Sequence, residues 1–384
     1  MKIENHDGFQ FSLNDDEYIW KIENQQNQLI ISLTEECNLR CKYCIYQDDR
    51  YQLVDKVHSM NEDVLIASLE WFLKRSKFSD EIYISFYGGE PLERVDLIKK
   101  AVQYVSKRRV SKVNYGITTN GTLLTKETLK FLDENRFLIT ISIDGPKHIH
   151  NRFRVSKSGK DTYNVILKNI RTMMREFPDL YSRVSFNCVS VYPEEIEEIQ
   201  NFFLNKNVNW INVEITDYFK PYYITATTKE SKKNILNLAK QSPLNYYHYY
   251  WVLKHFHDRL SPLGFCEPLT KRTYVSCFGY IGLCEKIKEN KGKYILGNTL
   301  KGTLSHDKAL SLRHYAMDKV KCNCAKCWAR KFCQVCYINI DDINVNGDFC
   351  ILNRWRINID LKILVYLYCL VPGVKEMYEN TSYS

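Results

Sequence analysis

The chain has 384 residues, 45% of them hydrophobic and 26% charged, with a formal net charge of +9. That balance excludes a disordered or fibrous protein and suits roughly two or three globular domains. The basic residues are scattered without a long Lys/Arg run, which favours a solvated surface, or an anionic peptide partner, over a nucleic-acid groove. The apolar stretch Ile363–Val371 is too short to span a bilayer, and the opening MKIENHDGFQ has no apolar signal core. The expectation is a cytoplasmic protein with no membrane or nucleic-acid partner.

Residues 1–24 form a short N-terminal extension, and strands then alternate with helical runs over 25–220. Gln28–Leu33 is the first strand. Ile82–Tyr87 alternates Ile82, Ile84 and Phe86 with Tyr83, Ser85 and Tyr87, a period of two. Val113–Thr118, Phe137–Ile143, Val184–Val191 and Trp210–Thr216 are four more strands. Between them Leu65, Leu69, Phe72 and Leu73 keep one helical face, and Thr162–Arg175 and Pro193–Leu204 behave alike. Six β/α repeats predict an α/β fold, a parallel sheet curled by right-handed connections into a partial (β/α)6 barrel. The unusual residues follow strand ends: Cys37, Gly88-Gly89-Glu90, Thr119-Asn120-Gly121, Asp144-Gly145 and Asp217. The C-terminal face of such a barrel is where active sites collect. Residues 221–262 are an aromatic-rich bridge, including Tyr246, Tyr247, Tyr249, Tyr250 and Trp251. Residues 263–352 read as a small metal-organised domain, and 353–384 as a helix and tail.

Cysteine is the strongest compositional signal. There are 14, and they cluster: Cys37, Cys41 and Cys44; Cys266, Cys277 and Cys284; five between Cys322 and Cys336; then Cys350. In a reducing compartment such clusters point to metal or iron–sulfur ligation rather than disulfides. The first has the spacing Cys-x3-Cys-x2-Cys. A [4Fe–4S] cubane normally takes four thiolates, so three leave one iron open to an outside ligand.

That loop follows the first strand and has Tyr43 before its last cysteine, and it resembles the signature of the radical SAM family. The resemblance covers roughly residues 25–220. Gly88-Gly89-Glu90-Pro91 resembles the family's GGE motif, whose glycines let the backbone approach the methionine end of S-adenosyl-L-methionine (SAM). Thr118–Thr122 and Ser142–Pro146 resemble its other strand-end segments. The resemblance implies SAM contacts at Gly88, Gly89, Glu90, Asn120, Ser142, Arg154 and Asn187. Cys188, beside Asn187 on a strand, is expected to point the other way and pack.

The later cysteines resemble the SPASM extension of radical SAM enzymes. Cys266 is followed by twelve residues, Gly279, four residues and Cys284; then come Cys324-x2-Cys327-x5-Cys333-x2-Cys336 and Cys350. The spacing before Cys336 departs from the family's x3. Leu296–Leu300 resembles the turn after the second cysteine. The resemblance implies two auxiliary [4Fe–4S] clusters, the first on Cys266, Cys284 and Cys336. Its fourth ligand is Cys277 or Cys322, with Cys277 nearer the expected loop. Cys324, Cys327, Cys333 and Cys350 would hold the second. Two zinc ribbons are the alternative, since thiolates suit either metal. Cys369 reads as core.

The segments Cys44–Met60 and Ile84–Pro91 resemble maturases of ribosomally made peptides. The implied reaction is an oxidative cross-link, thioether or carbon–carbon, in a precursor peptide, driven by a SAM-derived radical. Alternatives are oxidation of a protein Cys or Ser, as in anaerobic sulfatase maturases, and peptide epimerisation. The Gln-Tyr-Asp motif of sulfatase maturases does not occur in the chain. Implied partners are the precursor peptide and a low-potential electron donor such as flavodoxin or ferredoxin. Only 36 residues precede Cys37, too few for a winged-helix leader-binding domain. The leader is therefore expected on a separate leader-binding protein, or on the barrel and its extension (Phe9–Ile22).

Overall fold

The computed structural model describes residues 13–44, 58–108, 112–192, 195–204, 211–215, 267–287, 292–330, 332–333, 335–355, 357–358 and 361. The aromatic bridge, residues 45–57, Asp217, Cys266 and Cys369 lie outside the described residues.

Six parallel strands carry the first half of the chain: β1 (Gln28–Thr34), β2 (Glu81–Gly88), β3 (Lys112–Thr119), β4 (Leu138–Ser142), β5 (Val184–Ser190) and β6 (Ile211–Ile215). They lie in sequence order and follow the predicted strands to within one or two residues at each end. Helices lie between them: α2 (Glu62–Arg75), α3 (Val95–Ser106), α4 (Lys126–Glu134), α5 (Lys147–Phe153), α6 (Tyr163–Glu176), α7 (Pro178–Tyr181) and α8 (Ile196–Leu204). The sequence sets their ends. Asn61 caps α2 by accepting from the Val64 amide, and Thr125 caps α4 from the Thr128 amide, each satisfying an otherwise orphaned donor.

In β2, Ile82, Ile84 and Phe86 are buried in the helix-covered core with Leu97, Ile98, Ala101 and Val105 of α3. The period of two turns Tyr83, Ser85 and Tyr87 to the opposite, half-buried face. Register continues that face across the sheet. Ser85 is opposite Ile30 and Gly116, Thr140 is opposite Thr118 and Ser185, and Ser142 is opposite Asn187. Closed β/α barrels fill this face with branched aliphatic side chains. Here it carries mainly hydroxyl, amide and glycine residues. The result is an open, partial barrel with a polar inner wall. Cys188 is buried on the other side, in the core, as alternation requires.

The sheet does not stop at β1. Strand β7 (Arg272–Val275) pairs parallel with it, from Gln28 opposite Arg272 to Ile31 opposite Val275. An antiparallel meander of β8 (Tyr280–Gly282), β9 (Ile295–Asn298) and β10 (Thr303–Leu304) follows, making ten strands in all among the described residues. Of Leu296–Leu300, expected as a turn, Gly297 and Asn298 pair on both sides within strand β9; the turn is residues 299–302. Thr299 ties the meander to the barrel: its amide donates to the Gly279 carbonyl at 2.8 Å, and its hydroxyl lies 3.0 Å from Ser68 Oγ of α2.

Helix α9 (His306–Cys324) then meets the N-terminal helix α1 (Asp15–Asn24). Arg313 of α9 donates to Asp15 Oδ1 at 2.5 Å and to the Leu13 carbonyl, and His306 lies 2.8 Å from Glu23. Glu23 also takes Arg75 of α2, 3.0 Å away. The described part of the extension is thus a helix clamped between barrel and C-terminal region. Among the described residues, no helix is long and apolar enough to cross a membrane.

Candidate cluster and cofactor site

Cys37, Cys41 and Cys44 follow β1 in a loop with little regular structure. Burial pushes the Cys37 thiol up to about 11, helped by the charges of Glu90 and Cys44. Burial raises Cys41 to about 12, with Cys44, Asp144 and Cys37 adding to it and Arg154 opposing. Cys44 acts on both of these thiols, so the three lie within electrostatic reach of one another, and Cys37 and Cys41 as free thiols stay protonated at neutral pH. Such a set gives up its protons to a cationic centre, the behaviour expected of metal ligands.

The loop is held by its neighbours. The Gly89 amide donates to the Thr34 carbonyl at 2.7 Å, and the Glu90 amide to the Glu36 carbonyl at 2.8 Å. A Cβ on Gly89 would sit 2.1 Å from Glu36 O, and one on Gly88, at φ +132°, 2.3 Å from Thr34 O. Both glycines therefore let the β2 turn press against the cysteine loop. The Glu90 carboxylate, 1% exposed, accepts from Leu92 N, Thr119 Oγ1 (2.7 Å) and Asn120 N (2.7 Å). Burial pushes its carboxyl up to about 7. Asn120 accepts from Thr122 and donates to Asn38 Oδ1 at 2.8 Å, its Nδ2 lying 3.8 Å from Cys37 Sγ. Glu90 and Asn120, expected at the cofactor, thus have their polar atoms engaged with the protein and the cysteine loop.

Arg154 and Ser142 differ. Arg154 is buried, and its Nε donates to Asp144 Oδ2 at 2.9 Å. Among the described residues no acceptor meets its two Nη groups. Ser142, 9% exposed, likewise has no hydrogen-bond partner among them for its hydroxyl. Unclaimed donors beside three thiols are what a carboxylate-bearing cofactor needs, so the residues present fit SAM. Asn187 is half-buried opposite Ser142, with its carbonyl accepting from Ile143.

Asp144 was named in the sequence only as a strand-end residue. Its Oδ2 accepts from both Arg154 and the Tyr43 hydroxyl, and Oδ1 accepts from Val189 N at 3.0 Å. Its amide donates to His150 Nδ1. His150 Nε2 then donates to Thr162 Oγ1 at 3.0 Å, and Thr162 donates to the Arg154 carbonyl at 2.7 Å. This relay fixes a neutral ring, and burial lowers the His150 pKa to about 4.

Burial, then the charges of Cys333, Cys350 and Cys327, raise Cys324 to about 12, so Cys324 lies within electrostatic reach of the other three cysteines of the quartet that the SPASM resemblance implies. Cys284 is raised by burial, then by Glu285, with Cys336 also contributing. Cys277 is buried and Cys322 is exposed on α9.

A family model described as the radical SAM superfamily matches residues 31–204. The barrel is a radical SAM domain. The chain is 31% identical over 194 residues to a cysteine-type anaerobic sulfatase-maturating enzyme of Clostridium novyi, covering 48% of this chain and 50% of the relative. It is 27% identical over 200 residues to the radical SAM cyclopropyl synthase TigE of Paramaledivibacter caminithermalis, covering 48% and 40%. The chain spans about half the length of the curated relatives it matches. Among solved structures, native anSMEcpe with bound AdoMet superposes with a TM-score of 0.69 at 20% identity, over 92% of this chain and 99% of that one. The shared fold thus extends past the barrel into the cysteine-rich region of the chain.

Proposed function

We propose that this radical SAM enzyme oxidises a residue of a peptide substrate and closes a cross-link, thioether or carbon–carbon. Cys37, Cys41 and Cys44 hold a [4Fe–4S] cluster with one open iron. The observation that carries this reading is the cysteine loop, with buried Cys37 and Cys41 thiols raised by desolvation, lying on the same strand-end face as the unclaimed donors of Arg154 and Ser142. When bound, the cluster and SAM supply a low-potential electron and a radical that takes a hydrogen atom from the substrate.

The chain's own residues do the rest. Arg154 and Ser142 bind the polar end of SAM, Gly88 and Gly89 seat the cysteine loop, and Glu90 and Asn120 hold its shape. The neutral hydroxyl and amide wall of the barrel suits the amides of a peptide backbone. Hydrogen abstraction followed by bond closure requires loss of one further electron and one further proton. Cys324, Cys327, Cys333 and Cys350, and Cys284 and Cys336 with Cys266 and Cys277, would hold auxiliary clusters, and such clusters would supply an acceptor for that electron. A precursor peptide and a low-potential donor of flavodoxin or ferredoxin type are the partners this reading requires.

Oxidation of a Cys or Ser to an aldehyde is the second reading, favoured by the similarity to sulfatase-maturating enzymes. Co-expression with a short peptide encoded beside the gene, followed by mass spectrometry, separates the two. A cross-linked product is lighter by two hydrogen atoms and inert to a hydrazide reagent. Iodoacetamide then tells a thioether, which consumes a thiol, from a carbon–carbon bond. A hydrazide-reactive product supports the second reading. An unchanged mass with one deuterium gained from heavy water means epimerisation and contradicts the cross-link.

A further inference from the structure

We propose that Asp144 is a positioning residue that couples the cysteine loop to the Arg154 anion site, so that the two are set by one buried carboxylate. This rests on the SAM-binding reading above. Asp144 is fully buried, with no exposed surface. One oxygen, Oδ2, takes both the Nε of Arg154 at 2.9 Å and the hydroxyl of Tyr43. Tyr43 lies between Cys41 and Cys44, and its ring packs against Phe153, 5.9 Å between centroids, beside the Arg154 guanidinium. The other oxygen is fixed by the Val189 amide of β5, and the Asp144 amide by His150. The carboxylate therefore cannot move toward one partner without moving the other.

The geometry has a chemical purpose. Held through Nε, the guanidinium turns its paired Nη edge away from Asp144 and leaves it for a carboxylate, the bidentate arrangement that suits arginine. Held through its hydroxyl, Tyr43 fixes the backbone between two thiols. A loop displaced by loss of the Tyr43 bond frees Oδ2, which lets Arg154 rotate and draw a second donor onto Asp144. The anion site then loses its preorganised edge. A residue that merely supported folding would not link its effect to the presence of the Nη edge.

The test is a double-mutant cycle on SAM affinity, measured by anaerobic equilibrium dialysis on the iron-loaded full chain. Tyr43→Phe removes the hydroxyl and keeps the ring. Arg154→Lys keeps a cation beside Asp144, so the buried carboxylate is not left unpaired, but has no bidentate edge. The expected result is that Tyr43→Phe weakens SAM binding by about tenfold, the scale of one charge-assisted hydrogen bond, in the parent. In the Arg154→Lys background it should change affinity by less than about twofold. Iron content of each variant, equal to the parent's, separates a binding effect from loss of the cluster, and Asp144→Asn should reproduce the Tyr43→Phe loss. Equal factors in the two backgrounds, or no effect in the parent, would overturn the proposal. An iron-loaded parent that binds no SAM would instead overturn the functional reading, and the coupling with it.

Discussion

Gly89 is confined by backbone, not by side chains that could move aside: its missing Cβ faces the carbonyl oxygens of Glu36 and Glu35 at 2.1 and 2.7 Å. Gly89→Ala must push the cysteine loop away from the β2 turn. We expect a stability loss of about 1–3 kcal/mol or more, the usual scale of overpacking. The same variant should reconstitute with about four fewer irons, one cubane's worth. Denaturant titration and iron assay check the two parts, and full iron occupancy at parental stability would refute the role given to this glycine. The glycine pair was plain in the sequence, but its reason was not. The pattern suggested an approach to SAM, whereas the close contact within the chain is with residues 34–36. Glu90 and Asn120 carry the same lesson. A polar residue at a strand end can face a ligand or the next loop, and only the hydrogen-bond partners decide which. Asp144 went unremarked beyond its position because nothing in a sequence distinguishes a shared acceptor from a turn residue.

At the scale of elements, the relay from Asp144 through His150 and Thr162 to Arg154 joins β4, α5 and the start of α6. It works with neutral His150, since Nδ1 must accept from the Asp144 amide. Burial lowers this ring's pKa from about 6.5 to about 4. The unfolded chain therefore takes up a proton first as pH falls. The contribution of the neutral ring is fully present above pH of about 6.5 and is lost progressively toward about 4. Other groups titrate in the same range, so the measurement is a difference. Urea midpoints of the parent and of His150→Asn should converge as pH drops from 7 toward 4. A constant gap across that range would count against the relay. The clamp between α1 and α9 makes a separate prediction. Arg313→Met leaves Asp15 with His314 as its one cationic partner among the described residues and frees the Leu13 carbonyl. Because Asp15 is partly exposed, the cost should be about 1–2 kcal/mol, read from a denaturant melt, rather than that of a fully buried pair. Strands β1 to β6 and helices α2, α6 and α8 were legible because their periods of two and 3.6 are long enough to read. Strands β7 to β10 were not. They run two to four residues, too short for any period, and the pairing of Arg272–Val275 with Gln28–Ile31 joins segments far apart in the chain.

Across the whole molecule, the cysteine-rich region is continuous with the barrel through one sheet, with Thr299 on α2 as a second tie. That continuity joins the segment carrying Cys277 and Cys284 to β1, the strand that leads into the Cys37–Cys44 loop. Three cubane clusters predict about twelve irons per chain after anaerobic reconstitution, and a Cys37/Cys41/Cys44→Ala triple variant should hold about four fewer. A plateau near four irons in the parent would leave no auxiliary clusters. The x2 and x5 gaps make Cys324, Cys327 and Cys333 readable as neighbours along one stretch of chain, whereas no spacing in the sequence says which thiols the segments on either side of the meander bring near Cys284. The most direct measurement is 5′-deoxyadenosine formation from SAM by the iron-loaded, chemically reduced protein, parent against Cys44→Ala. The parent should form it, and Cys44→Ala, deprived of one of three anchors, should form none. Failure of the fully loaded parent to cleave SAM, or equal cleavage by Cys44→Ala, would contradict the assignment of this loop.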